Sequence, residues 1–133
     1  MLDAVCKYIL QWVELNLDTG KSIDDLVPLV GYSRRTIENW FYEKYGITIG
    51  NYLFRRRMSR ASVLLRLTHL SVTEIATLLN YSSSQNFTRA FRKFTGKTPT
   101  KYRKTQTWDV STIQLSLLYK FNIKNTHQCT FTN

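Results

Sequence analysis

Apolar residues return every three or four positions along most of this chain, and one such stretch occurs twice. Ile23, Leu26, Val27 and Val30 share one side of a helix, and 49 residues later Val72, Ile75, Ala76 and Leu79 repeat the arrangement. The surrounding residues repeat with them: SIDDLVPLVGYSRRTIENWFYEKYG over 22–46 is echoed by SVTEIATLLNYSSSQNFTRAFRKFTG over 71–96. From Ile37 and Phe87 onward the offset becomes 50, through Phe41 and Phe91, Gly46 and Gly96, Tyr52 and Tyr102. One residue is therefore inserted in the second copy after its turn.

Each copy reads as two short helices around a tight turn. Ser22 with Asp25, and Ser71 with Glu74, have the spacing of a capping box, in which a hydroxyl and a carboxylate satisfy free amides of the first turn. Gly31 and Asn80 stand where the chain must turn left-handed to leave the helix, and these residue types do so at least cost. Ser33 and Ser82 are placed to cap the second helix of each copy. The second helices carry Ile37, Trp40 and Phe41, or Phe87, Phe91 and Phe94, and leave the opposite face polar. This is a helix-turn-helix pattern, present twice. A helical repeat scaffold is the rival reading, but solenoids normally stack three or more repeats.

Outside the repeat, residues 2–17 form an amphipathic helix with a Val5, Ile9, Trp12 and Val13 stripe, and Ile49–Leu67 reads as a long link between the copies. The link turns Leu53, Ala61, Leu64 and Leu65 inward, with Arg55, Arg56, Arg57 and Arg60 around its more exposed sides. Pro99 suits the first turn of a last short helix. Pro28 lies six residues past Ser22 and removes one helical bond, so a kink in the first unit is expected. In the tail, Ile113, Leu115, Leu117, Tyr119, Phe121 and Ile123 alternate with mostly polar residues, which predicts one strand. A lone strand is unstable in water, so the tail must pack on the body, pair with another chain or stay disordered.

Charge narrows the function. Nineteen Lys and Arg against nine Asp and Glu give +10, which makes polyanions natural partners. Between Arg55 and Lys104 there are twelve bases and a single acid, Glu74. No apolar run approaches the length of a membrane span, and the first residues lack the basic, then apolar, order of a secretory signal, so a cytoplasmic, nucleoid-associated protein is expected. Cys6 and Cys129 are far apart with no CxxC spacing, and only His69 and His127 could join them, so neither a metal site nor a disulfide framework is suggested. No phosphate-cradling glycine loop, nucleophile elbow or paired histidine is visible, which excludes the common enzyme classes. No cofactor is called for.

The run RMSRASVLLRL from Arg57, followed by EIATLLNYSSSQNFTRAFRKFTGKTP to Pro99, resembles the DNA-binding domain of the AraC/XylS family of bacterial transcription regulators, with the likeness extending over about residues 2–104. The resemblance implies an all-α fold of about seven helices: one helix-turn-helix subdomain over 1–48, a linking helix over 49–67, a second subdomain over 68–104, and a tail over 105–133. The small size is similar to stand-alone members that control stress and antibiotic-resistance genes without a ligand-sensing domain. In relatives that continue, an effector domain begins where this tail lies.

In such units the second helix enters the major groove, where every base pair shows a different donor and acceptor pattern. The exposed residues of the first unit are Arg34, Arg35, Thr36, Glu38 and Asn39, and the resemblance matches Arg35, Glu38 and Asn39 to base or flanking phosphate positions. Arg35 suits guanine, Asn39 adenine and Glu38 a cytosine amino group, while Glu38 can equally pair with Arg34 or Arg35. The second unit offers Ser84, Gln85, Thr88 and Arg89, of which Gln85 can bridge adenine and Thr88 touch a thymine methyl. Arg34, Arg55, Arg57, Lys93, Lys97, Lys101 and Arg103 are the phosphate candidates. The expected function is a monomeric activator reading an asymmetric double-stranded DNA site and, by resemblance, recruiting RNA polymerase. An interaction protein or anti-activator with DNA binding weakened by Pro28, and a nonspecific architectural DNA binder, stay open.

Overall fold

The computed structural model describes residues 2–105 and 112–118 and contains seven helices there. These are α1 (Leu2–Leu15), α2 (Ile23–Val30), α3 (Arg34–Tyr45), α4 (Ile49–Leu67), α5 (Val72–Leu78), α6 (Ser84–Thr95) and α7 (Pro99–Lys104). No strand occurs among the described residues. The all-α expectation holds, and the linking helix has the bounds its apolar spacing predicts.

Two hydrophobic cores organise the helices. The first gathers Ile9, Trp12, Val13, Leu17, Leu26, Ile37 and Phe41 with Ile49, Tyr52 and Leu53 from the start of α4. The second gathers Ile75, Ala76, Leu79, Phe87, Phe91 and Tyr102 with Met58, Ala61 and Leu65 from the rest of α4. The aromatic positions of the repeat do the same work in both: Phe41 lies 5.7 Å from Tyr52, and Phe91 lies 5.1 Å from Tyr102 in an edge-on pair. Cys6 is buried on α1, as packing would have it.

Local chemistry sets the helix ends. The Asp25 carboxylate accepts from the Ser22 amide at 2.9 Å, and the Ser71 hydroxyl accepts from the Glu74 amide at 3.0 Å. Gly31 and Asn80 have φ of 81° and 64°, the left-handed turn expected of both. The cap of α6 corrects the sequence expectation: Ser83, not Ser82, accepts from the Asn86 amide, while Ser82 accepts from the Asn86 side chain. Ser83 stands 50 residues after Ser33, so the inserted residue lies before the cap and not inside the helix. Pro28 sits within α2, which continues to Val30, so its missing N–H interrupts one bond and not the helix.

Of the four α4 arginines expected on exposed sides, Arg60 is exposed, but Arg55, Arg56 and Arg57 are half-buried. Arg57 donates to three backbone carbonyls of the α1–α2 connection: Leu17 at 3.1 Å, Asn16 at 2.9 Å and Lys21 at 2.7 Å. Burial lowers its pKa, against the pull of Tyr81 and Asp18. The same connection touches the second unit, because the Asn80 side chain donates to the Thr19 carbonyl at 2.8 Å. Gly20 lies under that amide with φ of 73°, and a Cβ there would come within 2.4 Å of Asn80 Nδ2. Arg103 is used in the same way on the far side, donating to the carbonyls of Leu65 and Leu70.

The described part of the tail corrects the strand expectation. Residues 112–118 have no ladder partner among the described residues and lie along α4, where Leu117 and Leu118 pack against the first core. The remainder of the alternating stretch, with Cys129 and His127, lies outside the described residues.

Replacing Arg57 by Ala removes three hydrogen bonds to the α1–α2 connection, two of them part-buried, and is expected to cost about 2 kcal/mol, read from urea unfolding; a loss below about 0.5 kcal/mol would contradict a structural role. Burial also pushes the Tyr45 phenol up from 10.0 to about 12. Because the folded pKa is the higher one, its contribution is intact below pH 10 and is lost as pH rises toward 12. Thermal midpoints measured across that range should fall less steeply in Tyr45→Phe than in the parent, and equal slopes would contradict the assignment.

Candidate nucleic-acid interface

Successive helical residues are about 100° apart, so Gln85, Thr88, Arg89 and Arg92 fall on one side of α6. Phe87 and Phe91 anchor the other side in the core. The exposed side forms one wall of an open cleft of about 450 Å³, which brings together all four second-unit candidates, Ser84, Gln85, Thr88 and Arg89. Val72 and Thr73 from α5, Arg92, and Thr98 at the head of α7 complete it. Arg92, Thr73 and Thr98 are absent from the sequence-derived candidates. Arg92 was readable, since it stands three residues past Arg89 and seven past Gln85 on the same face. Thr73 and Thr98 come from other helices, and only the fold brings them there.

Gln85 and Arg89 are exposed, and Thr88 is half-buried at the base of the cleft. Arg89, Arg92, Lys93, Lys97 and Lys101 take part in no ion pair among the described residues, so their charge is available to a polyanion. The α6 helix is fixed at both ends, by the Ser83 cap and by Gly96, whose amide donates to the Arg92 carbonyl. Neither end of the reading face depends on a flexible loop.

The first unit presents a smaller set. Ser33 caps α3 by accepting from the Thr36 amide at 3.2 Å, and the Thr36 hydroxyl is 2.8 Å from the Ser33 hydroxyl. Arg34 lies 2.6 Å from Asp24 on α2 and 3.4 Å from Glu38 one turn along α3. Glu38 thus adopts the ion pair that is one of its two readings. These pairs are exposed and contribute little to stability, yet they set where Arg34 and Glu38 point. Arg35 and Asn39, four residues apart and exposed, are the two first-unit candidates that no partner restrains among the described residues. Trp40 stacks edge-on against Tyr32 at 4.9 Å and stiffens the turn behind them.

Three phosphate candidates are placed elsewhere. Arg57 and Arg103 direct their guanidinium groups at backbone carbonyls. Arg55 donates to the Gln114 side chain at 3.2 Å and lies over the Phe94 ring at 5.5 Å. All three resemble surface cations in sequence because a charged residue on a helix is usually exposed; the carbonyls that receive Arg57 and Arg103, and the Gln114 amide and Phe94 ring that receive Arg55, are assembled only by the fold. The described residues contain no group of three or more His, Cys, Asp or Glu placed to hold a metal ion, and no described helix is long and apolar enough to cross a membrane.

A helix-turn-helix domain family model matches residues 14–105, which takes in both units. The chain is 38% identical over 116 residues to the HTH-type transcriptional regulator YkgA of Escherichia coli, covering 87% of this chain and 48% of that protein. It is 46% identical over 101 residues to the F1 operon positive regulatory protein of Yersinia pestis, covering 75% of this chain and 34% of that one. The transcriptional activator AarP of Providencia stuartii is 33% identical over 104 residues, 78% of this chain and 77% of AarP. The chain thus spans about half or less of the first two relatives and most of the third. Among solved structures, the C-terminal domain of AraT from Geobacillus stearothermophilus superposes with a TM-score of 0.73 at 23% identity, covering 86% of this chain and 95% of that one. The DNA-binding domain of AdpA, solved with a target DNA, gives a TM-score of 0.68 at 26% identity, covering 74% of this chain and 88% of that one. The paired units, their shared linking helix and these relatives agree, and the chain belongs to the AraC/XylS family of helix-turn-helix DNA-binding transcription regulators.

Proposed function

We propose that this chain is a sequence-specific activator that binds an asymmetric promoter site as a monomer, with α3 and α6 in successive major-groove segments, and recruits RNA polymerase there. The observation that carries the reading is one continuous helix, α4, joining two units whose second helices, α3 and α6, present unlike faces. Arg35 and Asn39 read one segment; Gln85, Thr88 and Arg89 read the other. Lys93, Lys97 and Lys101 hold phosphates around the second. Segments one helical turn apart are separated by roughly 34 Å, and a rigid link that does not match this span bends the DNA at a cost of a few kcal/mol. Activation is supported by the names of two relatives, a positive regulatory protein and a transcriptional activator. Cytoplasmic action follows from the sequence expectation and from DNA as the partner, and control of stress or resistance genes follows from the resemblance alone. No cofactor enters the reading. The rival interaction protein drew on a Pro28 kink, and it loses that ground because α2 continues through Pro28.

Competition binding at a fixed, stated salt concentration tests the reading. The chain should prefer one asymmetric duplex over random DNA by about a thousandfold or more; equal affinity for all duplexes would contradict it. Gln85→Ala should cost about 1–3 kcal/mol and relax preference at one position, whereas an unchanged preferred site would remove Gln85 from the readers. Lys101→Ala should weaken binding to all duplexes alike and lower the salt slope by about 1. Arg103→Ala should leave that slope unchanged, and a drop equal to that of Lys101→Ala would return Arg103 to the phosphate contacts.

A further inference from the structure

Residues 112–118 lie in a seat that α4 provides. Tyr52, Arg55, Arg56 and Ser59 recur at i, i+3, i+4 and i+7 and so share one face of the helix. Each of the four bonds to the segment. The Ser59 hydroxyl accepts from the Gln114 amide at 2.7 Å, and Arg56 Nη1 donates to the Gln114 carbonyl at 2.7 Å. Arg55 Nε donates to the Gln114 side-chain oxygen at 3.2 Å, and the Tyr52 hydroxyl accepts from the Leu117 amide at 3.0 Å. Tyr52 and Ser59 are buried, at 0% and 2% exposure; the Ser59 hydroxyl donates to the Arg55 carbonyl at 2.7 Å, and the segment supplies the donors that both hydroxyl oxygens accept from.

The position of the seat gives it meaning. Arg56 is also held by the Glu14 carboxylate of α1, through Nε at 2.7 Å and Nη2 at 2.8 Å. Burial works against its charge, but Glu14 outweighs burial and raises its pKa. Arg55 lies over Phe94 of α6, in the second unit. Gln114 therefore takes bonds from two neighbouring arginines, one tied to each unit. They occupy the polar stretch of α4 between Leu53, which closes the first core, and Met58, which opens the second. On α6, Phe94 points roughly 150° away from the centre of the Gln85–Arg89 reading face, so this contact is on the side away from the DNA.

From this juxtaposition we infer that residues 112–118 are a brace: they stiffen the middle of the linking helix from behind and thereby fix the angle between the two reading helices. The inference rests on the two-segment reading proposed for this chain. A stiff link keeps the second unit at high effective concentration once the first has bound, without adding a contact to DNA.

The 133-residue chain carrying Gln114→Pro and Leu117→Asp loses the amide bond to Ser59 and sets a charge against the first core, while α1–α7 keep their sequence. Ser59→Ala removes the same bond from the helix side. In the free protein, amide exchange at residues 54–60 should quicken about tenfold in both variants with helix content unchanged. Affinity for the two-segment duplex should fall about tenfold, while affinity for a duplex holding only the second unit's segment stays the same. Unchanged exchange and unchanged two-segment affinity would overturn the brace, and so would tighter binding, which would make the segment a blocker. If the parent chain shows no preference for two segments over one, the proposed function fails, and the exchange measurement, which needs no DNA, still decides the brace.

Discussion

Helix α4 belongs to two hydrophobic cores at once, and the arrangement of everything else depends on that. At 19 residues it is about 28 Å long. Its first turns bury Ile49, Tyr52 and Leu53 with the first unit, and its later turns bury Met58, Ala61 and Leu65 with the second. Neither unit can rotate about the link without withdrawing those side chains from a packed interior. The polar stretch between the cores is then secured by side chains that reach outward, Arg57 to the α1–α2 connection and Arg56 to Glu14, and Asn80 of the second unit's turn ties back to Thr19 in the same connection. Charges that suggest a nucleic-acid surface serve here to hold the two halves in register.

The two units share a backbone plan and differ in what they leave free. In the first, Asp24 and Glu38 engage Arg34, and Thr36 is occupied with the cap, so Arg35 and Asn39 remain. In the second, Glu74 is the one acid between Arg55 and Lys104, and the cleft collects donors from three helices. On the proposed DNA-binding reading, the second unit supplies affinity through charge that DNA can neutralise, and the first supplies selection through a few residues with restrained neighbours.

Much of this was legible in the sequence because it depends on local rules. The repeat marks both units, Gly31 and Asn80 mark the turns, and apolar spacing sets the bounds of α4. The offset change from 49 to 50 is visible too, yet its consequence for the cap is not, since Ser82 and Ser83 are adjacent and only geometry chooses between them. The partners of the arginines are not legible: sequence shows the charge of Arg55, Arg57 and Arg103 and not the carbonyls, side-chain amide and ring that meet it. The alternating tail misleads for a related reason. Its period of two suits a strand, but residues 112–118 take their hydrogen bonds from side chains of α4 and not from a second strand. Thr73 and Thr98 carry no signal at all until the helices converge.

On the proposed reading, helix α4 holds the two readers at a fixed separation. Inserting about five base pairs, half a helical turn, between the two segments of the selected site tests it most directly. Affinity should fall by about two orders of magnitude, to the level of a duplex with one segment. Affinity unchanged by the insertion would contradict it.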